Sequence, residues 1–450
     1  MYLRRLHIQN LKLMKDLDLS FVNDKGQPRM WTVIIGENGT GKTSILQAIA
    51  MAAAGYRNVS GLAENIIASL PDKRAPKNTV SVDAEFVLDS YQRDARPYPK
   101  YPGGKPPGDV TVSSSVSLRK GQKSLEAKSY YEGMQGEGDP IDEARSSGAK
   151  LWFVAAYGIH RNLPSSFAKP PMLWNPSIDR LKPVFSSNVG LIGTAFADIL
   201  RGPKRTTYAR VLREALFKAK GLLPGFDGLE MRGPGGISTG QTLQEKHRFI
   251  QNLPSGKLKI AATWLSHGYQ STIAWIADLV GHILYEAELD RALSPEEMEG
   301  LVLIDELDLY LHPRWQRTLI QTLKQTFPRI QFVATTHSPL ALVGLRPDED
   351  EIIRLVTDKS TGNVCQFDMK KGRLHEPDPR LMTGTEIYQS YFGIEQFYPG
   401  NLGELLRDHR YLAANPFRTD QDENELDRLE GKLREEGVEP DFPRVPRKKS

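Results

Sequence analysis

The chain has 450 residues, enough for one large α/β domain with appendages. About a quarter are charged and 39% apolar, the balance of a globular protein, and neither a secretory segment after Met1 nor an apolar run of membrane-spanning length occurs. A net charge of +4 permits nucleic-acid contact without demanding it, and the single cysteine, Cys365, excludes an internal disulfide or a cysteine metal cluster and fits a reducing cytoplasm.

Met30 to Ile35 reads as a buried strand of apolar and β-branched residues. It runs into Gly36-Glu37-Asn38-Gly39-Thr40-Gly41-Lys42-Thr43, and Ser44 to Met51 continue as a helix. The spacing G-x-x-x-x-G-K-T between strand and helix predicts a phosphate cradle. Gly36, Gly39 and Gly41 let backbone N–H groups converge on an anion, and Asn38 and Ser44 complete the loop. The helix start adds partial positive charge, Lys42 a full charge, and the Thr43 hydroxyl a ligand for magnesium.

Thr79 to Leu88, Val110 to Leu118 and Leu125 to Tyr131 alternate like strands, with loops expected at 97–108 and 135–148. Leu151 to Ala156 form another apolar strand, leading into Tyr157-Gly158-Ile159-His160-Arg161. About a hundred residues then precede the next motif, without sustained heptads. Helical segments near 189–200 and 208–220 and a glycine-rich loop at 232–240 predict a compact helical insertion. Leu265-Ser266-His267-Gly268-Tyr269-Gln270 opens an apolar helix to Glu286, read as core despite Asp278 and His282. Leu301 to Ile304 are a strand suited to the middle of a parallel sheet. Asp305 at its end is placed to hold magnesium, and Glu306 to polarise an attacking water. A helix over 314–327 and a strand over 331–336 then bring His337 to the same edge. A hairpin from 351–356 and 364–367 finishes the sheet. In the C-terminal segment, a charged helix over 420–436 carries Leu426, Leu429 and Leu433 on one face, a packing stripe or a docking face.

In this order the motifs resemble ABC-type ATPases of the SMC/RecF/OLD branch, over roughly residues 1 to 360. Leu3 to Leu11 resemble that branch's first strand and turn. The resemblance implies an α/β P-loop ABC-ATPase head: a mixed central sheet with flanking antiparallel strands, here with a compact helical insertion and a helical C-terminal segment. It implies ATP and Mg2+ as cofactors. It also implies that Ser266, Gly268 and Gln270 of one head bind nucleotide held by Lys42 of a second copy, so that at least a homodimer is needed. His267 stands where glycine is common, no glutamine stands at the expected Q-loop, and His312 lies near the position of a D-loop aspartate. Tyr157-Gly158-x-x-Arg161 resembles a subset of RecF-like ATPases, and which residue senses the γ-phosphate stays open.

The expected division is 1–160 and 256–375 for the two parts of the head, 161–255 for the insertion and 376–450 for a segment able to dock a partner. No nuclease is expected in the chain. Asp348-Glu349-Asp350 precedes its strand, and Pro71-Asp72 with Glu126-Ala127-Lys128 is a chance match. Basic clusters at Lys100, Lys105, Arg119, Lys120, Lys123, Lys204, Arg205 and in 444–449 read as solvated faces, without interleaved aromatics. Gly384-Thr385-Glu386-Ile387 with Tyr391-Phe392-Gly393 resembles the tail of Septu-type defence ATPases. That resemblance implies a separate HNH-type nuclease encoded nearby and regulated by this chain in anti-phage defence. DNA contact would then come through the complex, with no membrane involved. A RecF-like DNA-repair ATPase and a nucleotide-gated scaffold with little turnover remain alternatives.

Overall fold

The structure, a computed structural model, describes residues 1–88, 101, 109–134, 138–147, 152–163, 173–217, 222–223, 225–231, 246–287, 293–369, 377–394, 401–440 and 442–447. The loop expected at 232–240, all but Tyr101 of the one expected at 97–108, and Lys100, Lys105, Lys448 and Lys449 lie outside the described residues, whereas the loop expected at 135–148 is replaced over most of its length by the helix Pro140–Ser147, whose Ile141 and Ala144 are buried. The chain divides into Met1–Gly384 and Thr385–Ser450.

In the first unit, β3 (Trp31–Gly36), β7 (Val154–Tyr157), β11 (Gly300–Ile304), β12 (Ile330–Thr335), β13 (Glu351–Thr357) and β14 (Val364–Gln366) form one sheet. The order is β14-β13-β3-β12-β11-β7, parallel except for the β13–β14 hairpin. β11 and β12 are buried along their whole length, which suits the unbroken apolar run of β11. In β12 the buried Gln331 and Thr335 are satisfied by hydrogen bonds, Gln331 Nε2 donating to Leu3 O and Arg29 O, and Thr335 Oγ1 to Asp305. Trp31 stacks on Phe332 across β3 and β12, with ring centroids 4.5 Å apart.

A second sheet, β2-β1-β4-β5-β6, is antiparallel and comprises β1 (Tyr2–Leu11), β2 (Met14–Ser20), β4 (Val80–Leu88), β5 (Val110–Leu118) and β6 (Glu126–Tyr131). β5 alternates buried and half-buried positions, with serines on its outer face and at Ser114 within. The P-loop helix, Lys42–Ala52, touches both sheets and is buried on nearly every side. Its apolar residues therefore run right round it. Its C-terminal carbonyls are satisfied from the surroundings: Ser114 Oγ donates to Ala52 O at 2.7 Å and Arg145 Nε to Ala53 O at 2.7 Å.

The insertion contains the helix Gly202–Phe217, packed on the long helix His267–Glu286. It leads into a three-stranded antiparallel sheet, β10-β9-β8, from β8 (Phe226–Glu230), β9 (Arg248–Leu253) and β10 (Gly256–Ala261). This sheet is an addition to the helical insertion expected from the sequence. β10 is exposed over its first four residues, so no buried alternation marks it.

In the second unit, helices Leu402–Ala414 and Asp420–Glu435 pack together. Leu426, Leu429 and Leu433 are all buried, so the leucine stripe is packing. Thr419 and Asp422 form a capping box, and Arg444 pairs with Glu423, Asp427 and Glu430.

Candidate nucleotide site

β3 delivers the chain to Gly36, and the helix starts at Lys42 behind Gly41, which has the left-handed φ of 84° that glycine tolerates. The first intrahelical bond, Ile45 N–H to Gly41 O at 3.0 Å, leaves the N–H groups of Lys42, Thr43 and Ser44 ahead of it. No side chain caps this end and no acidic residue occupies its first turn, so an anion meets no competitor there. Lys42 Nζ arches back over the loop, donating to Gly36 O at 2.8 Å and Glu37 O at 3.0 Å. Burial lowers its pKa, while Asp305 and Glu306 favour retention of the proton. Lys12, in the β1–β2 turn, donates to Ser44 Oγ at 2.6 Å and adds a second half-buried cation beside the helix start.

Parallel pairing of β3, β12 and β11 brings their C-terminal ends side by side. A line of hydrogen bonds crosses these ends. Thr43 Oγ1 donates to Asp305 Oδ2 at 2.8 Å, and Thr335 Oγ1 donates to Asp305 Oδ1 at 2.7 Å. Glu306 N–H in turn donates to Thr335 Oγ1 at 2.7 Å. Glu306 is half-buried and has a positive φ of 47°, unusual for a residue with a side chain. Arg161 Nη2 donates to its carbonyl at 2.6 Å. The guanidinium is buried, which brings its pKa down to about 10 despite the nearby Asp305, Asp308 and Glu306.

Magnesium usually takes one or two protein oxygens and completes its shell with phosphate and water. The Thr43 hydroxyl and Asp305 carboxylate, already in contact, fit that requirement. No group of three or more His, Cys, Asp or Glu able to hold a metal occurs among the described residues, and this mode of binding needs none.

Ser266 is the N-cap of the helix His267–Glu286, and its side chain makes no capping bond. Ser266 and His267 are exposed, whereas Gly268 is buried. A Cβ on Gly268 would stand 2.4 Å from Tyr310 O, so glycine is required within the chain itself. Gln270 Nε2 donates back to Leu265 O at 2.7 Å. No hydrogen bond among the described residues ties Ser266, Gly268 or Gln270 to the P-loop. His337 is exposed just beyond β12, and its backbone N–H reaches Asp308 Oδ1 at 3.4 Å. Thr336 Oγ1 donates to the same oxygen at 2.5 Å. His312 acts locally, because its Nδ1 accepts from Arg314 N–H at 3.2 Å and caps the helix Pro313–Thr326.

Thr335 and Lys12 belong to no motif recognisable in the sequence, and the motif containing Arg161 does not by itself give that residue a role. Adjacent hydroxyls at 335 and 336, closing the strand beside that of Asp305, are the available signal. The acidic residues weighed against a nuclease have structural partners. Asp350 pairs with Lys324 and accepts from Arg346 N–H, and Asp72 pairs with Arg74.

Fold and site together are those of a P-loop nucleotide-binding domain. Two family models match, "AAA ATPase domain" over residues 1–142 and "AAA domain, putative AbiEii toxin, Type IV TA system" over 141–343. Among individual proteins, the chain is similar to the Septu protein PtuA of Bacillus mycoides, with 25% identity over 96% of this chain and 50% of that one. The retron Vc95 probable ATPase of Vibrio cholerae is 43% identical over 20% of this chain and 17% of that one. The chain thus spans about half the length of that PtuA and a smaller share of the retron ATPase. An Smc head domain with an extended coiled coil, bound to the C-terminal domain of ScpA from Pyrococcus furiosus, has a TM-score of 0.48 and 14% identity over 82% of this chain and 97% of that one. No helix among the described residues is long and apolar enough to cross a membrane.

Proposed function

We propose that this chain binds and hydrolyses Mg-ATP between two copies of itself and, through its nucleotide state, regulates a separate effector nuclease in anti-phage defence. The observation that carries the hydrolytic part is the line Thr43–Asp305–Thr335–Glu306, which ties the phosphate loop to the backbone of the residue that bears a second carboxylate. Asp305 and Thr43 hold the metal, and Lys42 with the helix N-terminus holds the outer phosphates. Glu306 orients the attacking water, and His337 contacts the γ-phosphate edge. Magnesium, when bound, neutralises charge developing on the phosphates.

The need for a second copy rests on Ser266. It begins a helix whose N-terminus carries no side-chain cap, and Ser266 and His267 there are exposed. Trp264 beside it is 74% exposed, and Tyr310, packed against Gly268, is 60% exposed. Apolar rings of this size around an uncapped helix start suit a face that another nucleotide-loaded head covers.

The regulatory part rests on similarity to the Septu and retron ATPases and on a C-terminal unit that presents Tyr411 and Phe417 to solvent. The site of action is the cytoplasm, and any DNA contact is made through the complex. The test is a pair of variants. Lys42→Ala loses nucleotide binding, and Glu306→Gln keeps binding, loses turnover and accumulates ATP-bound assemblies. Normal hydrolysis by Glu306→Gln would remove the assignment of the water-orienting group. Phage challenge of cells carrying the native operon, with and without Lys42→Ala, tests the defence role.

A further inference from the structure

Tyr157-Gly158-Ile159-His160-Arg161 links β7 to the nucleotide site, and three of its residues are fixed by particular contacts. Tyr157 O accepts the Asp305 N–H at 2.8 Å, and its hydroxyl meets Asp278 Oδ2 of the helix His267–Glu286 at 3.3 Å. Gly158 passes so close to a neighbouring segment that a Cβ would lie 2.2 Å from Pro183 O. The chain can therefore turn there only as glycine and carry Arg161 inward.

Arg161 is 2% exposed. A guanidinium at such depth is costly unless its donors are used. One is used: Nη2 holds Glu306 O at 2.6 Å. Nε and Nη1 are buried without a partner among the described residues. On the other side of Glu306, its N–H is held by Thr335 Oγ1. Both peptide groups flanking the Glu306 side chain are thus pinned, at a φ of 47° that a non-glycine residue adopts only at a cost. Such a conformation persists only where its surroundings enforce it. Release of the carbonyl would let the backbone relax and swing the carboxylate away from the phosphate edge.

We infer that Arg161 is the positioning residue for Glu306: its Nη2–H fixes the left-handed backbone that aims the carboxylate. This rests on the hydrolytic reading above. It gives the Tyr-Gly-x-x-Arg pattern a physical purpose in a head that lacks the expected Q-loop glutamine. Tyr157 anchors the approach, Gly158 permits the turn, and Arg161 acts on Glu306 through its backbone.

The experiment compares Arg161→Ala, Arg161→Lys and Glu306→Gln in the full chain. It measures the Kd for a fluorescent ATP analogue, kcat with Mg-ATP and the urea midpoint. Misplacing a catalytic group by about 1 Å costs about 100-fold. Arg161→Ala is therefore expected to lose about 100-fold in kcat while its Kd stays within about threefold of wild type. Arg161→Lys restores one donor to the Glu306 carbonyl on a similar stem, and is expected to recover to within about tenfold of wild type. If Arg161→Ala does not fold, the Lys variant still reads the split between kcat and Kd. The inference is overturned if Arg161→Ala turns over within about threefold of wild type, or if its loss lies in Kd alone. It is equally overturned if the Lys variant folds and binds but is as inactive as Glu306→Gln. Wild-type hydrolysis by Glu306→Gln would instead overturn the hydrolytic reading, whatever the Arg161 variants do.

Discussion

Replacing Thr335 by valine removes one hydroxyl and leaves the shape of the side chain. The residue is fully buried, so no solvent enters to compensate. Two interactions go: the bond donated to Asp305 Oδ1 at 2.7 Å and the bond accepted from Glu306 N–H at 2.7 Å. The first is charge-assisted and contributes about 1.5–3 kcal/mol, and the second leaves a backbone donor without its partner, at about 1–3 kcal/mol. A combined loss of about 3 kcal/mol, expressed on the metal and the transition state, corresponds to about 100-fold in turnover. The assay is steady-state hydrolysis over a magnesium titration, with urea unfolding run in parallel to separate stability from chemistry. The expected result is a higher magnesium requirement together with the fall in kcat, and substantial recovery in Thr335→Ser. Turnover within about threefold of wild type at low magnesium would refute the reasoning, because the hydroxyl would then be dispensable to both carboxylates.

Three further outcomes follow from the packing and the buried charges. In Gly281→Ala the new Cβ would stand 2.0 Å from the Phe196 ring, so thermal unfolding should show a loss of about 1–3 kcal/mol with unchanged ATP affinity; an unaltered Tm would contradict the close approach. Asp278, fully buried, has its carboxyl pKa raised from 3.8 to about 6 by burial, against the Gly193 and Ile192 N–H groups and the Tyr157 hydroxyl that favour the charged form. The folded state thus holds that proton more tightly than the unfolded chain, and stability is lost as pH rises from about 4 to about 6, by about 3 kcal/mol. Stability of Asp278→Asn relative to wild type should therefore climb through that window and level off above it, and a pH-independent difference would contradict the shift. In the C-terminal unit, Leu429→Ala should cost about 2–4 kcal/mol, read as earlier loss of helical circular dichroism or earlier proteolysis of that unit; equal resistance would show that the stripe is not core.

What the sequence disclosed depended on how each element is held. β3, β11 and β12 are parallel strands inside a covered sheet, so their apolar runs announce them, and the P-loop has an unambiguous spacing. The Leu426, Leu429 and Leu433 stripe follows from helical period alone. The small β8–β10 sheet escapes sequence reasoning because β10 and the end of β9 face solvent, even at Leu253 and Leu258, leaving no period-2 burial to detect. Arg161 and Thr335 are hidden for a different reason. Their contacts with Glu306 join positions 145 and 29 residues apart, and one of them ends on a backbone carbonyl. Neither leaves a periodic trace. His312 shows the converse, a residue placed by analogy near a functional loop that serves instead as a helix cap.

The central claim is that one chain supplies Lys42 and another supplies Ser266 to each working site. Lys42→Ala and Ser266→Arg, each inactive alone, should be co-expressed with different tags and their mixed assemblies assayed for Mg-ATP hydrolysis. In a mixed pair, one site joins the intact Lys42 of one copy to the intact Ser266 of the other. Mixed pairs isolated through both tags should therefore show about half of wild-type turnover. Mixed assemblies no more active than either variant alone would contradict a site shared between two copies.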